Sequence, residues 1–155
     1  MDIAFQDQMI GNRCWGCSPT NESGLHIKSF WSGDESVCTW NPGGHHSAAV
    51  PHILNGGIIA SIIDCHCICT AIANAYRHEG RPIGSEPAIW YATASLHVSY
   101  RSPTPTDGPV TLRARVTEMT AKRTNLTCSL FSGEEERVTA ELVAVQVPIE
   151  WLASR

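Results

Sequence analysis

A chain of 155 residues has the size of one domain, and a compact domain of that length hides roughly 70% of its unfolded surface. Its 43% hydrophobic and 17% charged content excludes a disordered segment, and a net charge of -4 argues against general affinity for nucleic acid. Seven cysteines, three of them at alternate positions 65, 67 and 69, make a poor secreted disulfide framework and point to a reducing cytoplasm.

The opening run MDIAFQDQMIG carries acids and amides where an export signal needs a basic start and a long apolar stretch. Residues 1–13 are expected to form an arm or short helix. No repeat or long linker divides the chain, so residues 1–155 read as a single domain. Leu25 to Trp31 and Ser36 to Trp40 flank a Ser-Gly-Asp turn, the pattern of an antiparallel hairpin. The stretch from Asn41 to Pro51, with two Gly, two Pro and two His, reads as a surface loop.

Asn55 is a plausible N-cap for a helix that begins at Gly56 and runs to about Arg77. Ile58, Ile62, Cys65, Cys69, Ile72 and Tyr76 follow helical steps, and Ile59, Ile63 and Ala73 broaden the apolar surface far beyond a stripe. Ser61, Asp64, His66, Thr70 and Asn74 interrupt that surface, so a helix wrapped by protein is expected, with no membrane as partner. From Ile89 the period becomes two, with Trp90, Ala92, Ala94, Leu96 and Val98 alternating with Tyr91, Thr93, Ser95, His97 and Ser99. Further strands are predicted around Val110–Val116, Leu126–Leu130 and Val138–Val147, joined by turns too short for crossovers. An antiparallel sheet curled around one apolar helix covers both elements most economically.

Two features of that helix point to chemistry. Gly56 and Gly57 at its start permit close approach to amides that lack helical partners, and the positive end of the dipole suits a developing oxyanion. The plainer alternative is a tight entry into the helix. Asp64 lies about two turns in, where an unpaired carboxylate costs several kcal/mol, so it is either held by a neighbouring donor or poised for reaction.

The run Leu54-Asn55-Gly56-Gly57-Ile58-Ile59-Ala60-Ser61-Ile62-Ile63-Asp64 resembles the helix-start motif of hotdog-fold acyl-CoA thioesterases, in the branch of the phenylacetate-pathway enzyme. Cys14-Trp15-Gly16-Cys17 with Ser23-Gly24-Leu25, the run from Thr93 to Pro103 that ends in Tyr-x-x-Pro, and Ala121-Lys122-Arg123 are similar to further motifs of that branch. The resemblance implies an α+β hotdog fold, a curved antiparallel sheet of five to six strands around one central helix. It implies hydrolysis of acyl-CoA or aryl-CoA, with the Gly56 amide polarising the thioester, Asp64 as general base or nucleophile, and Thr93 holding the water or the carboxylate. Gly57, Ser99, Lys122 and Arg123 would contact CoA. The site would form between subunits of a homodimer or a dimer of dimers, without a cofactor beyond the CoA of the substrate.

Asn55 stands where the family usually has His; as a member of the catalytic set it can orient a carbonyl through its amide but cannot transfer a proton at neutral pH. This departure keeps open a non-catalytic acyl-CoA binding or sensing module of the same fold; it also weighs against a hydratase, which commonly needs that His. A zinc site on Cys14 and Cys17, with His26 or Cys38 nearby, lacks a second Cys pair in the sequence, so no metal is expected. Cys65, Cys67, Cys69 and His66 cannot form one metal cluster, because residues two apart point to different helix faces, and these thiols read as small core residues. Arg101, Arg113 and Arg115, close in sequence to Lys122 and Arg123, could extend a basic patch.

Overall fold

The computed structural model describes residues 2–153. Its elements in chain order are α1 (Phe5–Gln8), β1 (Phe30–Ser32), β2 (Glu35–Trp40), α2 (Gly56–His78), β3 (Tyr91–Tyr100), β4 (Val110–Met119), β5 (Arg123–Ser132), β6 (Glu135–Gln146) and α3 (Ile149–Ala153). The strands form one antiparallel sheet in the order β1-β2-β4-β5-β6-β3. This sheet packs around α2 as the hotdog arrangement requires, and α3 is an element the sequence reading did not foresee.

The predicted opening hairpin exists but is shorter. Gly33 takes the left-handed turn conformation, φ +65°, and only Phe30–Ser32 pairs with β2. Residues from Leu25 onward find other partners: Leu25 N–H donates to Trp15 O, and the Trp40 indole donates to Leu25 O at 2.8 Å. The turn around Cys14–Cys17 therefore claims backbone groups that a longer ladder would have used.

Asn55 caps α2 as expected, its Oδ1 accepting from Gly57 N at 2.8 Å and Ile58 N at 3.1 Å. Arg77 and His78 in the last turn suit the negative end of the dipole. Ile62, Ile63 and Ile72 of the helix are fully enclosed and share one core with Leu112, Leu126, Leu130 and Leu142 of the sheet. Truncating one such side chain to Ala costs about 2–5 kcal/mol. The helix is long and apolar enough to cross a membrane by composition, but most of that surface is buried against the sheet.

His66 lies completely inside, and its partners determine its protonation. Thr70 Oγ1 donates to His66 O at 2.7 Å, so it must accept from Ser36 Oγ, 2.6 Å away. Ser36 Oγ in turn accepts from His66 Nε2 at 3.1 Å, which leaves Nδ1 to accept from Ser29 Oγ at 2.7 Å. Gln6 Nε2 closes the circuit by donating to Ser29 Oγ at 2.9 Å. The ring is neutral with its proton on Nε2, and burial drives its pKa down to about 4. This circuit ties α1, the segment before β1, β2 and α2 together.

β3 departs from simple alternation. Its register with β6 skips Ala94, since Thr93 pairs with Ala144 and Ser95 with Val143. Such a bulge moves every later side chain to the opposite face. Tyr91 and Thr93 face the helix before it, and Leu96, Val98 and Tyr100 face inward after it. Uninterrupted alternation would have put Thr93 on the same face as His97 and Ser99.

Candidate active site

Asp64 and Thr93 meet where α2 passes the bulged end of β3. Thr93 Oγ1 donates to Asp64 Oδ1 at 2.5 Å. Both line a cavity of about 210 Å³, together with Cys14, Cys17, Cys65 and Trp90. Burial pushes the Asp64 carboxyl above the usual carboxylate range; the Thr93 bond partly offsets this, and Cys17 adds to it. Only one of its oxygens has a protein donor among the described residues, so the other is free to meet a water or substrate atom.

Gly56 supplies a different half of a site. The Asn55 cap occupies the amides of Gly57 and Ile58, and among the described residues the Gly56 N–H has no partner. A methyl group at Gly56 would make only ordinary contact with the Tyr100 ring, at 3.5 Å, so intrachain packing does not demand glycine there. What glycine preserves is access to the amide from outside the chain. Tyr100 Oη donates to Gly56 O at 2.6 Å and anchors the helix start to β3. Sequence reasoning missed this tyrosine as a site residue, although the Tyr-x-x-Pro turn marked its position.

Asp64 lies eight residues beyond Gly56, about 12 Å along a straight helix at 1.5 Å per residue. An oxyanion donor and a base acting on one carbonyl must both approach it to about 3 Å. Within one chain the two halves are too far apart to share a thioester.

The remaining predicted residues divide. Arg123 shares a row of the sheet with Val145 and Ala92, next to the row of Thr124, Ala144 and Thr93. Two strand spacings of about 4.8 Å put this exposed hairpin tip, with Lys122, at the same end of the sheet as Thr93. Ser99 lies on the opposite face of β3, in a groove of about 450 Å³ with Arg101, Thr139 and Glu141. Arg113 and Arg115 both pair with Glu35 and do not join Lys122 and Arg123. A concavity of about 810 Å³ lies at the far end of α2 around Asn74, His78 and Met119 and contains none of the predicted catalytic residues.

The cysteines are arranged differently from the sequence expectation. His26 bonds to Asn21 O, and Cys38 is buried in β2, so neither joins Cys14 and Cys17. Cys65 does: the Sγ atoms of Cys14, Cys17 and Cys65 all lie within 4.8 Å of one another.

A curved antiparallel sheet around one helix, with a free amide at the helix start and a carboxylate two turns in, defines a hotdog protein. The sequence model of the thioesterase superfamily matches residues 52–139, and the chain belongs to that superfamily. A thioesterase superfamily protein from Shewanella loihica PV-4 is 30% identical, with 79% of this chain and 91% of that one covered and a TM-score of 0.64. A thioesterase from Haemophilus influenzae shares the fold at 14% identity, with 86% of each chain covered and a TM-score of 0.68. The PaaI protein from the phenylacetic acid degradation operon of E. coli does so at 10% identity, covering 80% of this chain and 81% of its own, with a TM-score of 0.65. No curated protein is similar enough to match.

Proposed function

We propose that the protein is an acyl-CoA or aryl-CoA thioesterase that works as a homodimer, or a dimer of dimers, in the cytoplasm and needs no cofactor for hydrolysis. The observation that carries this reading is the Asp64–Thr93 pair at an open cavity. In the reaction, Asp64 takes a proton from water as the water oxygen attacks the thioester carbonyl. The Gly56 N–H of the partner chain stabilises the oxyanion, which one such donor does by about 3–4 kcal/mol. Collapse of the tetrahedral intermediate breaks the C–S bond, and the CoA thiolate recovers the proton from Asp64. Lys122 and Arg123 offer charge to the CoA phosphates.

The 12 Å separation within one helix supports assembly from two chains, and so does β3, an edge strand exposed at five of its ten residues and, among the described residues, without a partner on its outer side. The seven free thiols suit a reducing compartment.

The test is thiol release from a panel of acyl- and aryl-CoAs, followed by complementation. Asp64→Asn removes the base. Gly56→Pro removes the amide donor and fills its approach while sparing the helix start, because proline suits the first helical position and Asn55, at ψ 131°, already has the extended ψ favoured before proline. Each variant alone should be nearly inactive. Random pairing of the two should restore about a quarter of the sites, because each mixed dimer contains one intact pairing. No turnover with any CoA thioester would leave the alternative of a binding module, which Asn55 in place of His favours. Turnover without complementation would place the site within one chain.

A further inference from the structure

Outside the proposed hydrolytic pair, the described residues include a knot of thiols beside the same cavity. Cys14 Sγ lies 3.6 Å from Cys65 Sγ, and Cys17 Sγ lies 3.8 Å from Cys69 Sγ. A tetrahedral zinc thiolate with Zn–S near 2.3 Å separates its sulfurs by about 3.8 Å. The chain thus holds two sulfur pairs at that spacing; Cys14, Cys17 and Cys65 are mutually within 4.8 Å, and Cys69 lies outside that trio but in contact with Cys17.

The surrounding backbone is shaped for this arrangement. Cys14 and Cys17 stand at the ends of a tight turn, closed by Ser18 N–H donating to Cys14 O at 2.9 Å. Inside the turn, Gly16 N–H donates to Cys14 Sγ at 3.4 Å. Asn12 braces both ends, accepting from Cys14 N at 2.9 Å and donating through Nδ2 to Cys17 Sγ at 3.5 Å. N–H donors aimed at sulfur favour thiolates, and such outer contacts orient metal ligands. Facing the turn, Cys65 and Cys69 are four residues apart on α2 and share one side of the helix. Gly16 allows the two elements to meet: a methyl group there would fall 2.3 Å from Cys65 Sγ.

We propose that Cys14, Cys17, Cys65 and Cys69 bind one thiophilic divalent cation, Zn²⁺ foremost, clamping the N-terminal turn onto α2 beside the Asp64 cavity. Cys14, Cys17 and Cys65 supply three ligands as they stand, and Cys69, one turn along α2 and next to Cys17, supplies the fourth. Binding releases the thiol protons and forms four Zn–S bonds with no change in oxidation state. All-sulfur tetrahedral coordination selects zinc over calcium or magnesium, which require oxygen ligands. The sequence alone concealed the site because its two pairs are 48 residues apart, Cys17 to Cys65, and one pair lies within a helix that reads as core.

The test uses the full chain purified under reducing conditions without chelator. Elemental analysis should find one zinc per chain, and cobalt titration of the stripped protein should give the intense visible bands and the sulfur-to-cobalt charge-transfer band of a tetrahedral thiolate site. Cys14→Ser, at an exposed position, and Cys65→Ser should each lose most of the metal, whereas Cys38→Ala, outside the cluster, should retain it. A chelator should lower the thermal midpoint of the wild type but not that of folded Cys14→Ser. Fully reduced, folded protein with neither zinc nor a cobalt spectrum overturns the proposal. So does a Cys14–Cys65 disulfide in protein isolated from a reducing cytoplasm, which would make the cluster a redox pair.

Discussion

Asp64 and His66 are two residues apart on the same apolar helix, yet the fold treats them in opposite ways. Every hydrogen-bonding atom of the His66 ring is used, its neighbours are satisfied in turn, and no surface remains. Asp64 has one donor, from Thr93, and faces a cavity. A buried polar group whose circuit closes rigidifies the core; one left partly unpartnered beside an open space retains its capacity to react. His66 therefore marks structure, and Asp64 carries the proposed chemistry.

The largest effect that could break this contrast belongs to Asp64. Asp64→Asn should reduce turnover by roughly 10²- to 10⁴-fold, as expected for a lost general base, while the denaturation midpoint stays near that of the wild type. Equal losses of folding and activity would make Asp64 as structural as its neighbour.

His66 should dominate the acid dependence of stability. Its folded pKa, about 4, lies below its ordinary 6.5, so the unfolded chain binds its proton first. The stabilisation is complete above about pH 6.5 and disappears as pH falls toward 4, a loss of up to roughly 3 kcal/mol. Urea unfolding followed across that window should show the loss, and His66→Asn should flatten the curve. A wild-type curve that is already flat would mean the circuit does not hold the ring neutral.

Thr93→Ala should cost roughly 10- to 100-fold in kcat, the value of one hydrogen bond to a charged group, with Thr93→Ser restoring most of it. Failure of serine to rescue would show that Thr93 fills space and does not orient the carboxylate. The smallest effect is expected from Tyr100→Phe, which removes the anchor on Gly56 O and should lower stability by about 1 kcal/mol with less than a tenfold change in rate.

Much of the molecule was legible in the sequence because local pattern reports local conformation. Asn55 before two glycines announced the helix start, the broad apolar surface of α2 announced that it would be wrapped, and the change of period at Ile89 announced the strands. Asp64, alone as an acid in that helix, stood out for the energy its burial would cost.

What periodicity could not encode is where a strand changes phase or which distant segments meet. The bulge at Ala94 turns Thr93 toward Asp64 across 29 residues, against the plain alternation that put it with Ser99. The meeting of the Cys14–Cys17 turn with Cys65 is likewise a product of packing. The sequence by itself determined the central helix, the long strands and the reactive residue types, since these follow from dihedral preference and burial cost. Tertiary structure alone decided which side chains face one another, because that depends on register and on contacts whose energy appears only when the whole sheet closes around the helix.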